Sequence, residues 1–135
     1  RDDVESRGLG DVYKRQDLYT LADAILAQDD VTLIERRDYV KNPKPSGYRS
    51  LHLIIEIPIF LESEKRLMKV EIQLRTISMN FWASLEHQLR YKKNLSEEDV
   101  TAMNTELIEL AENAATLDAR MQALRNFLDQ AEYMN

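Results

Sequence analysis

Residues 68–75 alternate strictly between apolar and polar. Met68, Val70, Ile72 and Leu74 fall on one side, and Lys69, Glu71, Gln73 and Arg75 on the other. A period of two marks a strand with one face against a core. Residues 49–59 read as a second strand, with Leu51, Leu53, Ile55 and Ile57 on one face and Ser50, His52, Ile54 and Glu56 on the other. The segment Phe60–Leu67 between them is polar and short, so the two strands are predicted to form an antiparallel hairpin. His52, placed opposite Glu71, then shares its face of the sheet.

Helical spacing governs the flanks. Leu18, Leu21, Ala22, Ile25 and Leu26 mark one helix, with Asp17 positioned as its N-cap. Val31–Ile34 read as a short strand. Asn42–Gly47 form a loop with two prolines, and Gly47 is expected to supply a positive φ or a close backbone approach. A helix is predicted from Ser78 to Lys92. Asn80, Ser84, His87 and Tyr91 make its polar stripe, and Phe81, Leu85 and Leu89 its apolar one. Ser96, with Asp99 three residues on, resembles a capping box opening a last helix.

Along that helix Val100, Met103, Leu107, Leu110, Ala114, Leu117, Met121, Leu124, Leu128 and Ala131 alternate spacings of three and four. This is a heptad seam. It runs for roughly 45 Å at 1.5 Å per residue, more than so small a domain covers. The seam therefore predicts a subunit contact, with an intradomain role as the alternative.

The chain has 135 residues, enough for one modest core, and no cysteine, so disulfides and thiolate metal sites are excluded. No apolar run approaches the roughly 18 residues of a membrane span. A cytoplasmic protein without a membrane partner is expected. Charge is divided unevenly. Residues 36–93 hold 12 basic and 6 acidic side chains, whereas residues 94–135 hold 2 and 9. A basic middle draws phosphate-rich ligands, although a solvated basic face looks the same.

The basic middle also holds the chemistry. Lys44-Pro45-Ser46-Gly47-Tyr48-Arg49-Ser50-Leu51-His52 and Glu71-Ile72-Gln73-Leu74-Arg75-Thr76 bring a cation, a ring, an imidazole and a carboxylate within reach of one site. A carboxylate there suits Mg²⁺ binding and proton abstraction, and a ring at a loop edge suits base stacking. Taken alone, each has a plainer reading: a salt-bridged strand face, a tyrosine lidding the core, a packed histidine.

These motifs, in this order, resemble the synthetase domain of the RelA/SpoT family, and within it the small alarmone synthetases. The resemblance covers Asp17 to about Lys93, and the long helix more loosely. It implies an α+β fold of the nucleotidyltransferase type, with a mixed β-sheet, flanking helices and a long C-terminal helix. It implies a GTP pyrophosphokinase that uses Mg²⁺ to move pyrophosphate from ATP to the 3′-hydroxyl of GTP or GDP, in the stringent response. By resemblance, Glu71 is the metal-binding, base-like carboxylate, and Gln73 lies beside the acceptor nucleotide. Tyr48 stacks on guanine, Lys44 and Arg37 serve the acceptor phosphates, His52 lies near ribose and phosphates, and Asn80 bonds guanine. His87 and Tyr91 are read as structural. A homo-oligomer is implied, with a tetramer among the options.

Two alternatives stand beside this. One is a toxin-like relative acting on the 3′ end of tRNA, which a basic groove towards Arg90, Lys92 and Lys93 would favour. The other is a non-catalytic binding or assembly module.

Residues 1–16 depart from the family. Gly8-Leu9-Gly10-Asp11-Val12-Tyr13-Lys14-Arg15-Gln16 resembles translated sequencing adapter, and Asp2 and Asp3 lack the apolar flanks of a buried strand. The family's ATP-binding cations and a second Mg²⁺ carboxylate belong upstream of Asp17, and nothing there matches. The expected division is a non-native or disordered segment 1–16, an acceptor half 17–93 and a C-terminal helix 94–135. An inactive fragment of an active parent is expected.

Overall fold

The computed structural model describes residues 6–12 and 15–134. In chain order the elements are β1 (Ser6–Val12), α1 (Arg15–Leu26), β2 (Thr32–Asp38), β3 (Leu51–Phe60), β4 (Lys65–Thr76), α2 (Ile77–Tyr91) and α3 (Glu97–Met134). The strands form one sheet in the order β1-β4-β3-β2, with β1 parallel to β4 and the other pairs antiparallel. This is the expected mixed α+β arrangement with a long last helix.

The hairpin forms as its alternation requires. Its ladder runs from Leu51↔Leu74 to Phe60↔Lys65. The turn is tighter than expected, with the Leu61 N–H donating to the Glu64 carbonyl at 2.7 Å. Leu51, Leu53, Ile55 and Leu74 make the buried face, and α1 lays the fully buried Leu18 and Ala22 across it. Each leucine so covered contributes about 1.5–3 kcal/mol. Because α1 begins at Arg15, Asp17 lies in its first turn and is not the N-cap. It still faces the positive end of the helix dipole.

Strand β2 is longer than the predicted Val31–Ile34 and carries a bulge. Leu33 pairs with Ile55 but Glu35 pairs with Ile54, leaving Ile34 as the extra residue. A bulge reverses the face of everything beyond it. Arg37 therefore stands across from His52, where a plain ladder would have put Arg36.

Within the segment 1–16, expected to be non-native or disordered, Ser6–Val12 form a strand. Ser6–Val12 pair with β4 from Ser6↔Val70 to Val12↔Thr76. The free edge of β4 offers unpaired N–H and C=O groups to any extended backbone, and that pairing needs no side-chain period. Arg7 stands beside Glu71 and Asp11 beside Arg75 in the register. Asp2 and Asp3 lie outside the described residues.

Thr76 caps α2, its Oγ1 accepting from the Met79 N–H at 3.2 Å. The buried face of α2 is Met79 and Trp82, which corrects the predicted apolar stripe. Phe81 is 67% exposed and Leu85 is also exposed, while Leu89 is half-buried. The helix is turned by what it docks on. Met79 enters the sheet core, and Trp82 fills the gap to α3, where its Nε1 donates to the Leu107 carbonyl at 2.7 Å.

Ser96 caps α3 as predicted, accepting from the Asp99 N–H at 3.1 Å. Leu107 and Ala111 of α3 are buried under Trp82, whereas Leu117, Met121, Leu124 and Leu128 are all more than half exposed. A second tie holds α3 to the sheet. Asp118 Oδ2 lies 3.7 Å from Arg49 Nη1, with both side chains almost covered. Burial pulls the Arg49 guanidinium below its usual range and pushes the Asp118 carboxyl up, with their mutual attraction opposing both shifts. Among the described residues no helix is long and apolar enough to cross a membrane.

Candidate active site

The face of the sheet away from α1 carries the polar rows set by strand alternation. Register places Arg37, His52 and Gln73 in one row, and Glu35, Ile54 and Glu71 in the next. His52 is thus directly opposite Gln73, one row from Glu71, which corrects the expected pairing while keeping the shared face. Both His52 and Glu71 are buried, Glu71 to 2% exposure.

The loop before β3 forms the rim. Gly47 N–H donates to the Lys44 carbonyl at 2.9 Å, and Lys44 N–H to the Tyr48 carbonyl at 3.1 Å. Gly47 has φ +98°, and a Cβ there would lie 2.9 Å from Ala111 Cβ and 3.1 Å from Trp82 Cζ2. Both expected reasons for a glycine, positive φ and close approach, hold at once. The loop is pressed onto α2 and α3, and this sets the Tyr48 ring over the sheet. Lys44 Nζ sits 4.9 Å from the Tyr39 ring and 5.3 Å from the Tyr48 ring, close enough for a cation–π attraction to each. The Tyr39 ring meets His52 edge-on at 5.2 Å.

Hydrogen bonds join these groups. Arg75 Nη2 donates to Tyr48 Oη and to Gln73 Oε1, each at 2.8 Å, and Arg75 Nη1 donates to Asn80 Oδ1 at 3.2 Å. Tyr48 Oη and His52 Nε2 are 3.0 Å apart, and Gln73 Nε2 donates to Glu71 Oε2 at 3.0 Å. Lys44, Tyr48, His52, Glu71 and Gln73 line a pocket of about 260 Å³ that Glu86 and Arg90 of α2 close. A depression of about 490 Å³ shares Tyr48, Glu86 and Arg90 and adds Arg75, Asn80 and His87.

Six of the seven predicted site residues thus come together. Arg37 is set apart: it is in the His52 row, but its Nε is held by Glu35 Oε1 at 2.6 Å, and it lines neither cavity. The rings of His87 and Tyr91 lie 4.6 Å apart; His87 borders the depression and Tyr91 is exposed.

Among the described residues there is no group of three or more His, Cys, Asp or Glu side chains able to hold a metal. Mg²⁺ asks for less, taking one or two carboxylates and completing its shell with water and phosphate oxygens. The buried Glu71 carboxylate, in a pocket that Lys44 and Arg90 also line, fits that requirement as one hard ligand.

The family described as a region found in RelA / SpoT proteins matches residues 11–96. The chain belongs to the RelA/SpoT family. It is 45% identical over 114 residues to the GTP pyrophosphokinase YwaC of Bacillus subtilis, covering 84% of this chain and 53% of YwaC. It is 36% identical over 118 residues to the GTP pyrophosphokinase YjbM of the same organism, covering 86% of this chain and 54% of YjbM. The chain therefore spans about half the length of the curated relatives it matches. Among solved structures, a GTP pyrophosphokinase family protein from Streptococcus pneumoniae superposes with a TM-score of 0.80 at 32% identity, over 95% of this chain and 67% of that one. The small alarmone synthetase 1 of Bacillus subtilis bound to its product pppGpp gives 0.79 at 33% identity, over 90% and 62%.

Within this RelA/SpoT domain, the sequence assigned no role to Arg75, Tyr39 or Glu86, and named Arg90 only in the basic groove of the tRNA alternative. Arg75 did carry a signal, the period of two that puts it with Glu71 and Gln73. Glu86 and Arg90 are an i,i+4 ion pair at 3.3 Å, a pattern common on solvated helices. Tyr39 had no signal, since the turn that folds it over His52 is not periodic.

Proposed function

We propose that this RelA/SpoT domain holds the acceptor site of an alarmone synthetase, which transfers pyrophosphate from ATP to the 3′-hydroxyl of GTP or GDP. The observation that carries the reading is the single pocket in which Lys44, Tyr48, His52, Gln73 and the buried Glu71 converge. Family membership and the pppGpp named for a similar structure support it. Tyr48 offers a ring to stack on the base. Lys44 offers its ammonium to the acceptor phosphates. Glu71, oriented by Gln73, accepts the proton of the attacking hydroxyl. Glu71 also offers a ligand to Mg²⁺, which when bound neutralises charge on the phosphates of the donor. Most of the rate enhancement comes from holding the hydroxyl in line with the donor phosphorus. The reaction takes place in the cytosol, in an assembly of several copies.

The test gives ATP, Mg²⁺ and labelled acceptor to the full-length protein, with GTP, GDP and tRNA as separate acceptors. Labelled guanosine product, reduced about 10²–10⁴-fold by Glu71→Gln, is expected. Transfer to tRNA alone would replace this reading with the toxin-like one. Transfer that survives Glu71→Gln would remove Glu71 from the chemistry.

A further inference from the structure

We infer that Arg75 is the positioning residue that sets the hydrogen-bonding sense of the Gln73 and Asn80 amides in the acceptor site and, through Asn80, its choice of guanine. The inference rests on the acceptor reading above and adds how that site selects its base.

The argument starts from the guanidinium, which has five N–H donors and no acceptor. Whatever it touches must present an oxygen or a lone pair. Arg75 touches Asn80, Gln73 and Tyr48 at 3.2, 2.8 and 2.8 Å. Each contact removes a freedom. An amide that gives its oxygen to Arg75 turns its NH₂ the other way, so the Asn80 Nδ2 faces outward as a donor. The Gln73 Nε2 is likewise aimed at Glu71, and it reaches Oε2 at 3.0 Å. Tyr48 Oη accepts from Arg75 and lies 3.0 Å from His52 Nε2, so the hydroxyl links the two side chains. The guanidinium carbon also lies 5.4 Å from the Tyr48 ring centroid, close enough for a cation–π attraction that helps to hold the ring.

The consequence is selectivity. A purine stacked on Tyr48 presents O6, an acceptor, if it is guanine and N6–H₂, a donor, if it is adenine. An Asn80 amide free to flip would serve both. An amide whose oxygen is committed to Arg75 serves guanine alone. Lysine at position 75 would supply one point charge without the planar fork that reaches three partners.

The experiment measures binding of GDP and of 2,6-diaminopurine riboside diphosphate, in which an amine replaces O6, to the chain and to its Arg75→Met and Arg75→Lys variants. The wild-type chain is expected to prefer GDP by tenfold or more, and both variants to lose most of that preference. A merely structural role would weaken both ligands alike and leave their ratio unchanged, which would overturn the inference. A second variant guards against a folding defect at position 75: Asn80→Ala, which removes the amide and keeps Arg75, should lose the same preference, and an unchanged ratio in that variant would contradict the inference. If the wild-type chain distinguishes the ligands but Arg75→Met keeps the ratio, only the role of Arg75 fails. If the wild type binds neither ligand, the acceptor reading fails with it.

Discussion

At the scale of single residues, Tyr48 combines two functions that substitution separates. Its ring faces the pocket, while its hydroxyl joins Arg75 to His52. Tyr48→Ala should weaken GDP binding by the stacking contribution of about 1–3 kcal/mol. Tyr48→Phe should keep the stacking and lose only the hydroxyl bonds, so its affinity should fall between wild type and Tyr48→Ala. Calorimetric titration of the three proteins checks the order. Equal losses would mean that the ring carries no base. Tyr19 tests a different residue-scale effect. Its hydroxyl donates to Asp38 Oδ2 at 2.8 Å, and burial, with that carboxylate, pushes its pKa up to about 12. The unfolded chain ionises this tyrosine near 10. The associated stability is therefore complete below about pH 10 and is lost as pH rises towards about 12. Tyr19→Phe should flatten that alkaline loss in denaturant titrations, and an unchanged slope would contradict the shift.

Between elements, two contacts fasten α3 to the site, and each has a separable energy. Arg49 directly follows Tyr48, and Asp118 lies far along α3. Removing one partner leaves a charge buried alone, so Arg49→Met should cost about 3–5 kcal/mol. Replacing both, as Arg49→Met with Asp118→Leu, should recover most of that loss. Urea unfolding measures both, and a double variant as unstable as the single one would refute the explanation. Gly47 is the second fastening. Gly47→Ala places a methyl against Ala111 and Trp82 at φ +98°, and should cost more than about 1 kcal/mol. Adding Ala111→Gly relieves the contact but not the φ, so only part of the loss should return.

For the whole molecule, the exposed end of α3 is the surface that bears on assembly. Leu117, Met121, Leu124 and Leu128 lie beyond the stretch that Trp82 covers, and they continue the heptad seam. We expect the full-length protein to sediment as more than a monomer, and Leu117→Lys with Leu124→Lys to reduce it to one. A wild-type monomer would remove the subunit role from the seam. Neither Leu117 nor Leu124 lines the pocket, so the double variant should still bind GDP if binding needs one chain only.

The sequence by itself determined what depends on local period and local stereochemistry. The alternation along β4 put Glu71, Gln73 and Arg75 on one face and Val70, Ile72 and Leu74 on the other, because a strand has no other way to direct successive side chains. Gly47 and Ser96 were legible for the same kind of reason: positive φ and helix capping are satisfied within a few residues. The motif order was enough to point to the family. The tertiary structure alone decided how elements meet. The one-row offset of His52 from Glu71, the bulge at Ile34 that turns Arg37 to the His52 side, and the pairing of β1 with β4 depend on partner strands. The burial of Met79 and Trp82 in place of Phe81 and Leu85 depends on where α2 docks. The hub at Arg75 needs all of these, since its three partners come from the loop before β3, from β4 and from α2. Periodicity is a property of one segment, whereas register, bulges and helix rotation are settled by the surface against which that segment packs.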